Sequence, residues 1–222
     1  MSPPPAGPTR IILDLKGGVD DWKESFKQFL LTIKGSDGVV HHQWGPWEED
    51  RSKLELIAVW VPKDKIQEFG ASPHHQKCVE TLKPVLKSMP TKCPRLDIDV
   101  SKAGPPPLPM FKTPVLEVIT IDHCTGDAEA MKATLANAQK LSGCTLTHCG
   151  IMQTDTPDRG TIWIAWVGWE SVEHSNKADK ALYTPKGVGE VEVHHVNMNF
   201  PIKGFSATNP EHKVPPMLMK EA

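Results

Sequence analysis

Apolar residues in the first half of the chain follow two rhythms, one typical of strands and one typical of helices. Four short segments show the apolar runs or the alternation of strands: residues 10–15, 39–44, 54–61 and 95–100. Between the first two, apolar residues recur at helical spacing: Trp22, Phe26, Phe29, Leu30 and Ile33. Asp20 or Asp21 is a suitable N-cap for this helix, Gly35 and Gly38 end it, and a second helical region spans residues 63–87. The first half is therefore predicted to be a β-α-β-β-α-β unit.

The second half repeats this order. Strand patterns cover residues 115–121, 144–152, 161–167 and 191–198. Asp127 is the predicted cap of a helix with Met131, Leu135 and Ala138 on one face, and a second helix is predicted over residues 170–182. Gly143 precedes strand two as Gly38 does in the first half, and residues 164–167 resemble residues 58–61. Each half is thus predicted to be a ferredoxin-like unit, which makes the chain an α+β protein of two tandem repeats.

Strand three of each half is apolar on both faces, which indicates how the halves meet. An antiparallel sheet with one face in water should alternate apolar and polar residues. The helices of each half cover one face of its sheet, so the other sheet is expected to cover the second face. The two sheets would then form one α+β barrel within the chain. This predicts a monomer with an internal pseudo-dimer, and a homodimer through an outer surface is the alternative.

Proline-rich segments mark the predicted domain boundaries. Residues 102–113 read as a semi-rigid linker between a first repeat at residues 9–101 and a second repeat at residues 114–200. Residues 1–8 are expected to be disordered, and residues 201–222 to form a C-terminal tail.

Composition narrows the function classes. The net charge is −2 and lysines and arginines are scattered among the acidic residues, so neither a nucleic-acid partner nor an anionic membrane surface is expected. No apolar run approaches the roughly 20 residues of a spanning helix, and no signal peptide is recognisable. The five cysteines have no CxxC pairing and read as reduced thiols. A cytosolic protein with a small-molecule substrate is the expectation.

The most informative segment is residues 66–75. Ser72 is a suitable N-cap and Pro73 a suitable first residue of a helix. His75 lies four residues before Val79 and seven before Leu82, so it is expected to point inward with them. Burial and the helix dipole both favour the neutral imidazole, which is the form that a general base needs. The alternative is a core histidine that is hydrogen-bonded to a strand carbonyl.

Other histidines and the tryptophans are weaker candidates. Two predicted strands each carry a pair of adjacent histidines, His41 with His42 and His194 with His195. The members of a pair face opposite ways, so each pair offers at most one ligand to a metal site. No metal and no cofactor are therefore expected. Trp44, Trp60 and Trp166, with Trp163, are predicted on central strands, where they either line a flat apolar cavity or fill the core.

Residues 66–75, with Phe69 and the Pro-x-His of Pro73 and His75, resemble a segment of the dimeric α/β-barrel family, also called the stress-responsive A/B barrel family. The olivetolic acid cyclase type within it has a tyrosine before a His-Pro-Ala-His sequence. The resemblance implies that His75 occupies the place of a catalytic base for an aldol-type ring closure. Phe69 would occupy the place of the tyrosine, without its hydroxyl. Residues 169–175 resemble the antibiotic-biosynthesis monooxygenase branch, and the tandem arrangement resembles fungal members that serve natural-product pathways.

Three functions follow from these readings. The first is a cofactor-independent enzyme in which His75 moves a proton on an apolar, oxygenated, polyketide- or terpenoid-like substrate, so that it cyclises, isomerises or eliminates. The second is a cofactor-independent monooxygenase that acts on a phenolic substrate. The third is a non-enzymatic, ligand-holding barrel. The residues predicted to contact the substrate in a cavity between the sheets are Trp44, Trp60, Phe69, His148, Trp166 and His174.

Overall fold

The computed structural model describes residues 7–62, 64–88, 113–152 and 159–198. The predicted strand at residues 95–100, the linker apart from Thr113, and the C-terminal tail lie outside these described residues. The chain has an α+β fold with two antiparallel sheets, as the sequence predicts.

The first sheet contains β1 (Gly7–Asp14), β2 (Val39–Pro46) and β3 (Lys53–Trp60) in the order β1-β3-β2. Helices α1 (Val19–Lys34), α2 (Lys65–Gly70) and α3 (Pro73–Leu82) accompany it. Strand β1 begins inside the segment 1–8 that was expected to be disordered, because Gly7 and Pro8 pair with the end of β3.

Helix α1 begins two or three residues earlier than the predicted caps Asp20 and Asp21 imply. Its N-cap is Gly18, and Asp21 contributes from the first turn by accepting a hydrogen bond from the Gly18 backbone N–H at 2.7 Å. Gly35 is the C-cap, as predicted. The predicted helical region at residues 63–87 contains two short helices, because Ser72 starts a new helix immediately after α2 ends.

The second sheet contains β4 (Val115–Asp122), β5 (Cys144–Met152), β6 (Ile162–Trp169) and β7 (Glu190–Asn197) in the order β5-β6-β4-β7. Helix α4 (Ala128–Leu135) starts at the predicted cap, where Asp127 accepts from the Ala130 N–H at 2.8 Å, and a 3-10 turn (Ala136–Lys140) follows. The last helical region consists of α5 (Val172–Lys177) and a 3-10 turn (Lys180–Leu182). Among the described residues, no helix is long and apolar enough to span a membrane.

The same backbone geometry occurs at one place in each half. Gly38 and Gly143 both have a positive φ, of 88° and 80°, and each carbonyl accepts the backbone N–H of the residue that follows the third strand of its half. Immediately after each glycine, the register of the strand shifts by one residue. Trp60 and Trp169 therefore occupy equivalent positions in the two halves, each opposite the residue that follows the glycine. The predicted match of residues 58–61 to residues 164–167, which would pair Trp60 with Trp166, is therefore wrong by three residues.

The two sheets are in direct contact. Ile57 of the first sheet lies in one buried cluster with Val118, Ile164 and other apolar residues of the second sheet. At one edge, Trp47, just after β2, forms an antiparallel bridge with Val196 of β7. The helices lie on the opposite faces, where each half has its own apolar cluster. Each sheet therefore has a face that packs against helices, here called its helix face, and a face toward the other sheet, here called its inner face.

Candidate functional site

The predicted site residues separate onto different faces of the two sheets. Trp60, Phe69 and His75 lie on the helix face of the first sheet, because Phe69 packs against the cluster formed with α1 and α3. His148 and Trp166 lie on the inner face of the second sheet. The expected single cavity between the sheets is therefore wrong for His75, which the first sheet separates from the inner faces.

Three rings form a continuous line on the helix face of the first sheet. The Trp60 and Phe69 ring centroids are 5.0 Å apart, and Phe69 meets the His75 imidazole edge-on at 5.6 Å. The Trp60 indole donates to the Thr9 hydroxyl at 3.0 Å, and that hydroxyl donates to the Ala58 carbonyl at 3.3 Å. The tryptophan is thereby fixed, and it forms an apolar wall beside the imidazole.

Ser72 and Pro73 set the position of His75. The Ser72 side chain accepts from the His75 backbone N–H at 3.2 Å, and Pro73 occupies the first turn of α3, both as predicted. Cys78 and Leu82 form the buried side of this helix, and His75, one turn earlier, is partly buried on the same side. Within the described part of the chain, its imidazole has no hydrogen-bond or ion-pair partner.

Trp44 and His174 do not join this line. Trp44 is fully buried in the core of the first half, where it meets Phe26 edge-on at 4.8 Å. His174 lies on α5, with its Nδ1 3.0 Å from the Ser171 hydroxyl and its ring packed against Gly143. Like His75, His174 donates its backbone N–H to the serine N-cap three residues earlier.

His148 and Trp166 form a stacked pair on the inner face of the second sheet. Their ring centroids are 5.8 Å apart and their planes differ by 16°. His148, Trp166, Val118 and His194 are cross-strand neighbours in one row across the sheet. Burial, followed by the charge of Lys132, lowers the pKa of His148 to about 4. The imidazole is therefore neutral at pH 7.

A charged cluster between the sheets was not anticipated from the sequence. Arg10 binds the Glu55 carboxylate with two nitrogens, at 2.7 and 2.9 Å. Glu55 also contacts the His194 Nε2 at 2.8 Å and accepts from the Trp47 indole at 3.2 Å. Complete burial alone would raise the pKa of Glu55, but the Arg10 charge and the His194 hydrogen bond outweigh it and lower the pKa to about 2. The carboxylate is ionised and joins elements of both sheets.

A second buried carboxylate lies on the helix face of the second sheet. Glu117 has no solvent exposure and is surrounded by donors. It accepts from the Trp169 indole at 2.9 Å, the Ser175 hydroxyl at 2.5 Å and the Lys180 ammonium at 2.6 Å. The Tyr183 hydroxyl lies 3.1 Å from both carboxylate oxygens. Burial and then the Glu117 charge raise the pKa of Tyr183, so the phenol stays protonated and remains a donor.

This network continues to the surface and to the first half of the chain. The Ser175 hydroxyl is 2.8 Å from Nε2 of His195, and Nδ1 of His195 is 2.5 Å from the Glu49 carboxylate. Partial burial alone would raise the pKa of Glu49. Hydrogen bonds from the His195 backbone N–H and ring outweigh this effect, so the pKa lies below its usual value. Two features of the sequence could have indicated this network: Glu117 is a lone glutamate in an apolar strand, and His194 and His195 are adjacent on another strand.

The histidine pair behaves as strand geometry predicts. His194 points to the inner face, where it contacts Glu55, and His195 points to the helix face, where it contacts Ser175. The side chain of His41 lies outside the described residues. Among the described residues, no group of three or more histidine, cysteine, aspartate or glutamate side chains is arranged to hold a metal ion.

Known proteins resemble this chain in structure and not in sequence. No family model matches the sequence. No curated protein matches it either. A candidate monooxygenase from Fusobacterium nucleatum superposes with a TM-score of 0.59 at 10% identity, over 89% of this chain and 93% of that one. A candidate monooxygenase from Lactobacillus acidophilus gives a TM-score of 0.55 at 15% identity, over 86% and 92% of the two chains. An anthrone oxidase-like protein gives 0.54 at 9% identity, over 86% and 90%. These similarities establish a shared fold.

Proposed function

We propose that the chain is a cofactor-independent enzyme in which His75 removes a proton from an apolar, oxygenated small molecule. The observation that carries the proposal is the His75 imidazole, which has no hydrogen-bond or ion-pair partner within the described residues and stands at the end of the Trp60–Phe69 wall. An imidazole with a free nitrogen beside an apolar surface suits general-base catalysis next to a carbonyl. Cyclisation, isomerisation or elimination of a polyketide- or terpenoid-like substrate would follow.

Phe69 stands where the olivetolic acid cyclase type has a tyrosine, so this site lacks a phenolic hydroxyl to stabilise a substrate oxyanion. The hydroxyl on the wall belongs to Thr9, which already accepts from Trp60 and donates to the Ala58 carbonyl. A localised oxyanion would therefore gain little from this wall. A substrate whose negative charge spreads over an aromatic ring needs less stabilisation of this kind. Hydroxylated polycyclic ketones and phenols fit the site best.

Deuterium exchange tests the proton transfer directly. Anthrone, a tricyclic ketone with an acidic methylene group, is incubated with the protein in deuterated buffer without oxygen, and exchange at the methylene is followed by mass spectrometry. The wild-type protein should accelerate exchange, and His75→Ala should lose the acceleration by about 100-fold. His74→Ala, which changes the exposed neighbour, is the matched control and should keep it. A folded His75→Ala variant that exchanges as fast as wild type would refute the role of His75.

A second candidate is a cofactor-independent monooxygenase, and the names of the structural neighbours favour it. The carbanion left by His75 would react with O2, one oxygen atom becoming the new carbonyl of the product and the other leaving as water with the two methylene hydrogens. Oxygen uptake with anthrone in air, lost in His75→Ala, supports this route. Exchange without oxygen uptake supports cyclisation or elimination. Binding with neither reaction supports a ligand-holding barrel.

We also infer that the two halves are tandem repeats whose sheets close one barrel, in a cytosolic monomer with an internal pseudo-dimer. The matching geometry at Gly38 and Gly143 supports the repeat, and the Trp47–Val196 bridge supports the closure. Light scattering should give the mass of one chain. A homodimer that associates through an outer surface remains compatible with this arrangement. An obligate dimer in which the two sheets of one chain are apart would contradict it.

A further inference from the structure

The stacked pair of His148 and Trp166 has polar atoms that the protein does not use. Trp166 is completely buried, and its indole nitrogen has no hydrogen-bond partner in the described part of the chain. The Nε2 of His148 is also buried and without a partner there. Because most buried polar groups in proteins are hydrogen-bonded, two adjacent exceptions indicate a missing partner.

The surroundings define the chemistry of this partner. The pair lies among apolar residues of the inner faces, which include Val118, Leu146 and Ile164. Arg10 and Glu55, a charged pair that lies between the sheets, bind each other. This pair therefore offers no unpaired charge to a charged ligand between the sheets. The site favours a neutral and mainly apolar molecule.

The two nitrogens specify one polar group on that molecule. An indole N–H can only donate, so the ligand must present an acceptor to Trp166. A neutral imidazole protonated at Nδ1 can accept at Nε2, so the ligand can present a donor to His148. A single hydroxyl group does both, because it accepts one hydrogen bond and donates another.

We propose that the His148–Trp166 pair binds the hydroxyl group of a small aromatic alcohol, a phenol in the simplest case, between the two sheets. This site is distinct from the His75 site and lies on the other side of a sheet from the helix faces. An aromatic ring suits it because the neighbouring positions are apolar and one wall is itself a stacked indole–imidazole pair. The site would let the chain hold a phenolic compound apart from its site of proton transfer.

Phenol and toluene, which differ by a hydroxyl in place of a methyl group, form a matched pair of probes. Nuclear magnetic resonance of the labelled protein follows the indole N–H signals, and the Trp166 signal is assigned by its loss in Trp166→Phe. Phenol should shift the Trp166 signal and bind about tenfold more tightly than toluene, as expected for one or two buried hydrogen bonds. Trp166→Phe and His148→Phe should each bring the phenol-to-toluene affinity ratio toward one. His174→Phe, a histidine outside the pair, should leave the ratio unchanged.

Several outcomes would overturn the proposal. Equal affinities for phenol and toluene in the wild-type protein would show that water or a protein group already satisfies the two nitrogens. A phenol preference that survives in both Trp166→Phe and His148→Phe would place the hydroxyl elsewhere. Because Trp166→Phe keeps an aromatic ring, it remains informative if His148→Phe does not fold. His75→Ala should bind phenol at this site as wild type does, so failure here is distinguishable from failure of the proposed enzyme activity.

Discussion

The two halves of the chain place a tryptophan at the same point of the same backbone frame and then surround it differently. Trp60 and Trp169 each end the third strand of their half, and each donates its indole N–H to a residue of the first strand. In the first half the acceptor is the hydroxyl of Thr9, and in the second it is the carboxyl group of Glu117. The backbone is alike, and the difference lies in one acceptor.

The residues around the two acceptors differ as well. A buried carboxylate requires charged and hydroxyl donors around it, and the second half supplies Lys180, Tyr183 and Ser175. Thr9 is satisfied by one donor and one carbonyl, and His75 has no hydrogen-bond or ion-pair partner among the described residues. The comparison teaches that similar backbone geometry supports either a self-satisfied polar network or an imidazole beside aromatic rings, with no polar partner among the described residues.

The largest expected effect comes from removing the carboxylate. Glu117→Ala should lower the free energy of unfolding by about 3 to 5 kcal/mol, because Lys180 and three neutral donors lose their acceptor at once. The matched change in the first half, Thr9→Ala, should lower it by about 1 kcal/mol, because only one indole loses a partner. Urea unfolding of both variants measures the difference. Equal losses would break the comparison between the two acceptors.

The inner face of each sheet contains one buried group with a shifted pKa, and the two groups should affect stability in different pH ranges. Glu55, from the first sheet, has its pKa lowered from 4.5 to about 2 in the folded chain. Its stabilising contribution is therefore present above pH 4.5 and is lost as pH falls toward 2, by about 3 kcal/mol. His148, from the second sheet, has its pKa lowered from 6.5 to about 4. The unfolded chain then binds the extra proton, so stability falls as pH drops from 6.5 toward 4.

Two substitutions separate these pH windows. Glu55→Gln should reduce the pH dependence of the unfolding free energy below pH 4.5. His148→Leu should reduce it between pH 6.5 and 4. Urea unfolding at a series of pH values from 7 to 3 measures both. A slope between pH 6.5 and 4 that is unchanged in His148→Leu would mean that another group titrates there.

Substitution of the two positive-φ glycines tests whether the backbone geometry of the two halves is equivalent. Gly38→Ala and Gly143→Ala should each lower the free energy of unfolding by about 2 kcal/mol, because both positions have a positive φ that disfavours a side chain. The added carbon would also lie 2.6 Å from Lys65 in the first case and 2.4 Å from the His174 ring in the second. Thermal or urea unfolding checks both. Tolerance at one glycine alone would show that the two turns only look alike.

Elements with strong local signals were predictable from the sequence. The strands and most helix starts follow from apolar periodicity and from single capping residues such as Ser72 and Asp127. The start of α1 was misplaced because Asp21 acts from within the first turn instead of as the cap. The helical region after β3 divides at Ser72, which was predicted from the sequence as the N-cap of a helix.

The candidate site was predictable only in part. The line from Phe69 to His75 follows from a local motif, and the structure brings these rings together. The grouping of His75 with His148 and Trp166 was wrong, because the face of a sheet to which a helix docks is a tertiary property. The partners of Glu117 come from β6, α5, a 3-10 turn and β7, and no local pattern announces their convergence.

The join between the two sheets has a consequence for finding relatives of this chain. Gly45 faces the end of β7 so closely that a side-chain carbon there would lie 2.1 Å from the Asn197 carbonyl oxygen. No larger residue fits unless the two strands separate. A homologue that keeps this join is expected to keep glycine at this position even where nearly every other residue has changed. Gly45, two residues before Trp47, is therefore a useful anchor for aligning distant sequences whose overall identity is too low to reveal their kinship.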